Sequence, residues 1–215
     1  MLDPRSLAVY VVTSVGLVPG RDHRDVALAA VEAGTSAIQL RAPELHDDDL
    51  LPLATELTAW CREAGVLFVV NDRLDVALAS GADGVHLGQD DELDHARKRI
   101  GVDSVLGISV DDVEGARVAE ALGADYLGVT VWATSTKPEA APHGLEGLRA
   151  IVEATALPVV GIGGIDAANA GQVIAAGAAG VAVVSAVSAA DDPVDATRRL
   201  AMAVRSAVSI REGSS

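Results

Sequence analysis

Short runs of Val, Ile, Leu and Ala alternate along the chain with longer stretches of helical composition, and several of these stretches stop at glycine. The apolar runs at 7–12, 36–40, 66–70, 85–87, 104–108, 126–131, 158–162 and 181–184 read as strands, because they are short, rich in β-branched residues and bounded by turn signals. Between and after them, 25–33, 47–64, 74–80, 92–100, 113–122, 145–154, 168–176 and 193–208 read as helices, with Gly34, Gly65 and Gly123 placed as C-caps. Eight β/α units at roughly 27 residues each predict a single-domain α/β fold over 1–215, a (β/α)8 TIM barrel. A doubly wound open sheet is the competing architecture, and the even length of the units favours closure. The tail at 211–215 is expected to fray. Gly-Ala-Asp at 81–83 and 123–125, and Gly-Ala-Ala at 177–179, stand before strands four, six and eight, as one helix-end turn reused.

Composition narrows the core. Half of the chain is hydrophobic but only 2 % is aromatic, so Ala, Val, Leu and Ile must fill the interior, as in parallel strands covered by Ala-rich helices. The formal charge of −15 argues against nucleic acid or an anionic membrane surface as partner. It also means that any anionic substrate needs cations placed locally. One cysteine, Cys61, leaves no internal disulfide and reads as an inert packing residue. No apolar run approaches the roughly 20 residues of a membrane span. Residues 1–5 carry no signal-peptide pattern, so the cytoplasm is the expected location.

In a barrel of this kind the C-terminal ends of the strands carry the chemistry. Reading those ends collects Gln39 and Arg41, Asn71 and Asp72, Gln89 to Asp91, Ser109, Thr134 to Lys137, Gly163 and Gly164, and Val184 with Ser185. The strand starts are bland by comparison, an asymmetry that suits an enzyme. Asp72 and Asp91, leaving the sheet at one edge, suit a hard cation such as Mg²⁺. The plain alternative makes each a helix N-cap. Gly163-Gly164 with Ser185 resembles a phosphate cradle, since glycines let backbone N–H groups approach an anion. Thr134-Ser135-Thr136-Lys137 offers three hydroxyls and an ammonium to a second anion, or else is a solvated loop. Arg41 follows a buried strand and needs an anion, either a ligand or the carboxylate of Glu44 or Asp72. His86 lies within a strand and reads as a satisfied core histidine. Ser109 has no neighbouring arrangement that marks a nucleophile, and reads as a hydrogen-bond donor to substrate. Together these residues describe a site for two anionic ligands.

Several motifs resemble the thiamine phosphate synthase family. They are Gln39-Leu40-Arg41, Asn71-Asp72-Arg73, the run from Gly81 to Asp91, Gly107-Ile108-Ser109, Thr134 to Pro138, Val160 to Ile165 and Val183 to Ala186, in order along nearly the whole chain. The resemblance implies a Mg²⁺-dependent transferase of thiamine biosynthesis. Hydroxymethylpyrimidine diphosphate would be ionised to a pyrimidine cation, which the nitrogen of a thiazole phosphate captures, giving thiamine phosphate and pyrophosphate. It further implies that Asp72 and Asp91 hold Mg²⁺. Gln39, Arg41, Asn71, Ser109 and Lys137 would hold the pyrimidine diphosphate, and Arg41, Ser109 and Lys137 would act at the reacting groups. Thr134, Thr136, Gly164, Val184 and Ser185 would hold the thiazole phosphate. The partners implied are small molecules, with self-association to a homo-oligomer left open.

The chain departs from the family pattern in three places. Pro43 stands where a lysine is usual two residues after Arg41, which removes one cation facing the pyrophosphate and gives the 42–46 loop a different backbone. Asp111 stands where a histidine is frequent two residues after Ser109. Gly128 to Trp132 differs from the usual run containing Gly-Pro and Phe. The nearest rival is the related thiazole tautomerase, which handles no diphosphate. A barrel that binds a phosphorylated metabolite without turnover is the rival of another class.

Overall fold

The computed structural model describes residues 2–88, 93–134 and 141–213. Among them, eight parallel strands pair in sequence order and close on themselves. After a 3₁₀ turn at Pro4–Leu7, the strands are β1 (Val9–Val12), β2 (Ala37–Leu40), β3 (Leu67–Asn71), β4 (Gly84–Leu87), β5 (Val105–Ser109), β6 (Tyr126–Thr130), β7 (Val159–Ile162) and β8 (Gly180–Val183). The pairing of Tyr10 with both Ala37 and Ala182 closes the cylinder at β1. The helices are α1 (His23–Glu32), α2 (Asp47–Ala64), α3 (Leu74–Ser80), α4 (Leu93–Ile100), α5 (Val113–Ala121), α6 (Gly144–Ala154), α7 (Ala170–Ala175), α8 (Ser185–Ser188) and α9 (Pro193–Gly213). The closed single-domain barrel expected from the spacing is what forms, and the open sheet is excluded.

Two differences from the sequence reading have local causes. Helix α1 starts at His23 and not at 25, because Asp22 caps the N–H of Asp25 while the Asp25 carboxylate accepts from the N–H of Asp22. Helix α9 runs to Gly213, so the expected fraying is corrected for 211–213. The Arg211 guanidinium ties that end to the carbonyls of Ile174 and Ala178, the latter at 2.8 Å.

Strand alternation sorts the core into two parts. Outward residues such as Val11, Ile38, Phe68, Val70, Val85 and Leu106 pack beneath the helices with Leu50, Leu57, Leu148 and Val173. Inward residues Tyr10, Val12, Ala37, Tyr126, Val160 and Ala182 fill the cylinder with Leu7. An eight-stranded barrel leaves room inside only for side chains. Ala37 and Ala182 therefore flank Tyr10, and a Cβ on Gly107 would lie 2.2 Å from the Tyr126 ring. The two tyrosine rings meet edge to face with centroids 6.0 Å apart, and their hydroxyls share a hydrogen bond of 2.8 Å. Cys61 is buried in the outer core, where desolvation pushes its thiol up to about 12, in keeping with an inert packing residue.

The Gly-Ala-Asp repeat has a structural task. The Asp83 carboxylate accepts from the N–H of Phe68 and the Asp125 carboxylate from the N–H of Leu106, both at 2.8 Å. Each aspartate thus satisfies a donor at the start of the preceding strand. Asp125 also receives the Arg97 guanidinium at 2.5 Å, and Arg97 in turn donates to the carbonyls of Ser104 and Gly123. The third copy has Ala179 in place of the acid, and only its main-chain N–H bonds Val159.

Asp83→Ala is expected to cost about 1 kcal/mol in urea unfolding, and Asp125→Ala about 2–3 kcal/mol, because the second also strands a half-buried guanidinium. Burial holds Tyr10 at about 12 against an ordinary value of 10.0, and Tyr126 is raised well above its ordinary value by the same cause. The folded state binds these protons more tightly than the unfolded chain, so they contribute stability that is complete below about pH 10 and lost as pH rises through about 12. These are the only two tyrosines in the chain. Phenolate absorbance on alkaline titration should therefore rise together with unfolding and not before it.

Candidate active site

The inward side chains at the C-terminal ends of the strands leave a cavity of about 360 Å³. Its walls are Gln39 and Arg41 from β2 and its loop, Asn71 from β3, His86 from β4, Ser109 from β5 and Thr130 from β6. Ile162, Gly163, Gly164, Val184 and Ser185 form the β7–β8 side. Of the residues expected at the site, Gln39, Arg41, Asn71, Ser109, Thr134, Gly164, Val184 and Ser185 all line this one space. Asp91, Thr136 and Lys137 lie outside the described residues.

The floor is a hydrogen-bonded chain that crosses the barrel. Gln39 Nε2 donates to the Tyr10 hydroxyl at 2.9 Å. The Tyr10 hydroxyl meets that of Tyr126 at 2.8 Å, Tyr126 meets His86 Nδ1 at 2.9 Å, and His86 Nε2 meets Ser109 Oγ at 3.0 Å. Five polar side chains are thereby satisfied by one another. Gly128 makes the imidazole fit, since a Cβ there would sit 3.1 Å from His86 Cε1. His86 is satisfied, as expected, but it belongs to the cavity wall and not to the packed core. Tyr10, Tyr126 and His86 are the site residues that sequence reasoning missed. The period of two was the available signal, because Val85 and Leu87 are buried on either side of His86, which pairs with Asn71 across the sheet.

Arg41 is the cation of the site. Its backbone N–H reaches Thr13 Oγ1 at 3.3 Å, while its guanidinium makes no ion pair with the described residues. Of the two carboxylates that could have neutralised it, Glu44 is engaged elsewhere. Glu44 accepts from His23 Nε2 at 2.7 Å, and His23 is anchored on its other side to Thr13 at 2.8 Å. Arg73, the N-cap of α3, is paired with Asp47 at 2.8 Å and is not among the residues lining the cavity. A half-buried guanidinium with no ion-pair partner among the described residues, set beside a polar cavity, suits an anionic ligand. Pro43 is exposed in a turn closed by Leu45 N–H on the Ala42 carbonyl, with proline at the second position where its fixed φ suits a turn.

On the β7–β8 side, Gly163 and Gly164 both adopt left-handed backbone, with φ of 92° and 62°. A Cβ on Gly163 would lie 2.5 Å from the Trp132 carbonyl, so glycine is required there by space as well as by conformation. Asn169 Nδ2 holds the Gly164 carbonyl at 2.8 Å, and the Asp166 carboxylate is engaged by the N–H groups of Ala168 and Asn169. The chain after β8 does not enter a plain loop but turns at once into α8, whose N-cap is Val184. A glycine turn after the seventh strand and a short extra helix after the eighth form the phosphate-binding arrangement typical of such barrels.

The acidic end is built on strain. Asp72 is the only described residue other than glycine with a positive φ, at 60°. Such a backbone is uncommon and clusters at functional sites. Asn71 Nδ2 donates to Asp72 Oδ2 at 2.5 Å. Helix α3 takes Arg73 as its N-cap, so Asp72 stands one residue outside the cap position and the capping alternative fails for it. Among the described residues, no three His, Cys, Asp or Glu side chains form a ready metal cluster. Asp72 is not itself among the residues lining the cavity, but its exposed carboxylate is held beside Asn71, which is, and a carboxylate beside an amide is a donor set that fits Mg²⁺ completed by ligand oxygens.

Comparison with known proteins gives the family. Residues 9–187 match the family model TMP-TENI, described as thiamine monophosphate synthase. The thiamine-phosphate synthase of Natronomonas pharaonis is 48 % identical over 205 residues, covering 93 % of this chain and 96 % of that protein. That of Chloroflexus aurantiacus is 49 % identical over 199 residues, covering 91 % and 92 %. The structure of thiamine phosphate pyrophosphorylase from Pyrococcus furiosus superposes with a TM-score of 0.88 at 40 % identity, covering 95 % of this chain and 98 % of that one. Solved structures of other barrels at lower identity, such as a 3-hexulose-6-phosphate synthase at 23 %, share the fold alone. The chain belongs to the thiamine monophosphate synthase family, and its function is that family's transferase reaction, thiamine phosphate synthesis in thiamine biosynthesis.

Proposed function

We propose that the reaction joins hydroxymethylpyrimidine diphosphate to a thiazole phosphate by ionising the diphosphate first and capturing the pyrimidine cation with the thiazole nitrogen. The observation that carries this reading is the pairing of two separate anion-binding elements with one neutral cavity. Arg41, which makes no ion pair with the described residues, lines the cavity just beyond β2, and the Gly163-Gly164 turn with Ser185 lines it from β7 and β8. Arg41 takes the diphosphate, and with Lys137 it offsets charge that grows on the departing pyrophosphate. Gln39, Asn71 and Ser109 orient the pyrimidine. Thr134, Thr136, Gly164, Val184 and Ser185 seat the thiazole phosphate. The floor of Tyr10, Tyr126 and His86 itself presents no carboxylate to a forming cation. No general base is required, since the thiazole nitrogen carries no proton to remove.

Asp72, with Asp91, would hold Mg²⁺, and the ion when bound would neutralise charge on the leaving group as a Lewis acid. The strained Asp72 backbone and its contact with Asn71 support that role. The substrates are small molecules, and no helix among the described residues is long and apolar enough to cross a membrane. We place the enzyme in the cytoplasm, in keeping with its single, buried cysteine.

Mixing both substrates with Mg²⁺ should yield thiamine phosphate and pyrophosphate in equal amounts, and absence of pyrophosphate would sink the reading. Asp72→Ala is expected to lose Mg²⁺-dependent turnover by at least about a hundredfold while its urea midpoint stays within about 1 kcal/mol of the parent. Activity of that variant in chelator would remove Asp72 from the metal. Pro43→Lys adds an ammonium near Arg41 and should lower the KM for the diphosphate, whereas an unchanged or higher KM shows that no contact is missing at this position.

A further inference from the structure

The chain across the barrel floor has a direction, and that direction decides what both of its ends present to a ligand. Each tyrosine hydroxyl has one proton to give. Both phenols keep theirs, since burial raises them to about 12 for Tyr10 and well above 10.0 for Tyr126. Tyr10 receives a hydrogen bond from Gln39 Nε2, so its own proton must go to Tyr126, its one remaining partner among the described residues. Tyr126, fully buried, then gives its proton to His86 Nδ1. With Nδ1 accepting, the neutral imidazole carries its proton on Nε2 and donates to Ser109 Oγ. The Ser109 proton is left for the cavity. At the other end, Gln39 has its amide nitrogen committed to Tyr10 and lines the cavity, so the group it has left to offer as an acceptor is Oε1.

We propose that Tyr126, acting through Tyr10 and His86, is a positioning residue that sets the donor and acceptor pattern with which the cavity reads the pyrimidine, holding Gln39 Oε1 as an acceptor and the Ser109 hydroxyl as a donor. An aminopyrimidine edge offers the complement, an exocyclic N–H donor next to a ring-nitrogen acceptor. A 4-oxo pyrimidine offers the reverse, a carbonyl acceptor next to a ring N–H. The chain ties the two ends together. Gln39 cannot rotate its amide to suit the oxo edge unless both tyrosine protons, the imidazole tautomer and the serine proton reverse with it. Selectivity therefore comes from a buried five-residue unit and not from two independently adaptable side chains. Gly107 and Gly128 are part of this device, because a Cβ on either would push against the Tyr126 ring or the His86 ring.

The inference rests on the proposed function for the identity of the heterocycle, and its test has an arm that contains no substrate. In ¹⁵N-histidine-labelled protein, the His86 resonances, identified by their loss in His86→Gln, should show a pyridine-type Nδ1 and a pyrrole-type Nε2. The opposite tautomer in the wild-type protein overturns the proposal whatever the enzyme catalyses. In the second arm, dissociation constants are measured for hydroxymethylpyrimidine diphosphate and its 4-oxo analogue. The parent should prefer the amino compound by about a hundredfold or more. Tyr126→Phe keeps the ring but removes the relay, and should narrow that preference by about tenfold, with the His86 tautomers mixed. A residue of merely structural importance would weaken both ligands equally, so an unchanged preference ratio in folded Tyr126→Phe overturns the proposal. Tyr10→Phe cuts the same relay next to Gln39 and should narrow the ratio alike. If the tautomer is as stated but no thiamine phosphate forms, the proposed function fails and the relay stands.

Discussion

Everything at this site depends on placing polar groups inside a cylinder of eight strands. The interior admits little water, so a buried hydroxyl or imidazole must find its partner within the protein or cost roughly 1–3 kcal/mol. Tyr10, Tyr126, His86, Gln39 and Ser109 solve this by bonding to one another in one line. The solution needs space, which the alanines at 37 and 182 and the glycines at 107 and 128 supply. Nearly the whole aromatic content of the barrel interior is thus spent on a polar floor, while aliphatic residues carry the packing between sheet and helices.

Charge is the second constraint. A chain of −15 repels anions at long range, so its overall field does not steer an anionic ligand toward it. Binding must come from groups acting at contact distance. Among the described residues Arg41 makes no ion pair, and Glu44, one of the carboxylates within its reach in sequence, is held on His23. Backbone N–H groups at the Gly163-Gly164 turn add attraction without adding a titratable charge. The same economy marks the acidic side, where Asp72 is held in left-handed backbone outside the helix cap.

The architecture was legible because it is written in local terms. Apolar runs, glycine stops and even spacing are properties of short windows, and the helix boundaries of α2 and α3 agree with them to the residue. Errors fell where a side chain reached back or across. The Asp22–Asp25 box moved the start of α1, and Arg211 carried α9 five residues beyond its expected end. Helix α8 was unforeseen because four residues of Ser, Ala and Val carry no helical period. The glycine cradle and Arg41 could be read as candidates from position alone. Whether Arg41 was paired could not, since Glu44 and Asp72 are both within sequence reach and only packing shows that His23 takes the first.

The sequence by itself determined the barrel, its single domain, the edge on which the chemistry collects and the family to which the motifs belong. These follow from periodicity and from residue types at strand ends, which do not depend on distant contacts. Tertiary structure alone decided that His86 is a wall of the site and not core, that Tyr10 and Tyr126 lie beneath it, and that Arg41 makes no ion pair with any described carboxylate. Each of these depends on side chains from different strands meeting inside a closed cylinder. Tyr10 and Tyr126 stand 116 residues apart in the chain and 2.8 Å apart in the fold, and no window of sequence contains that distance.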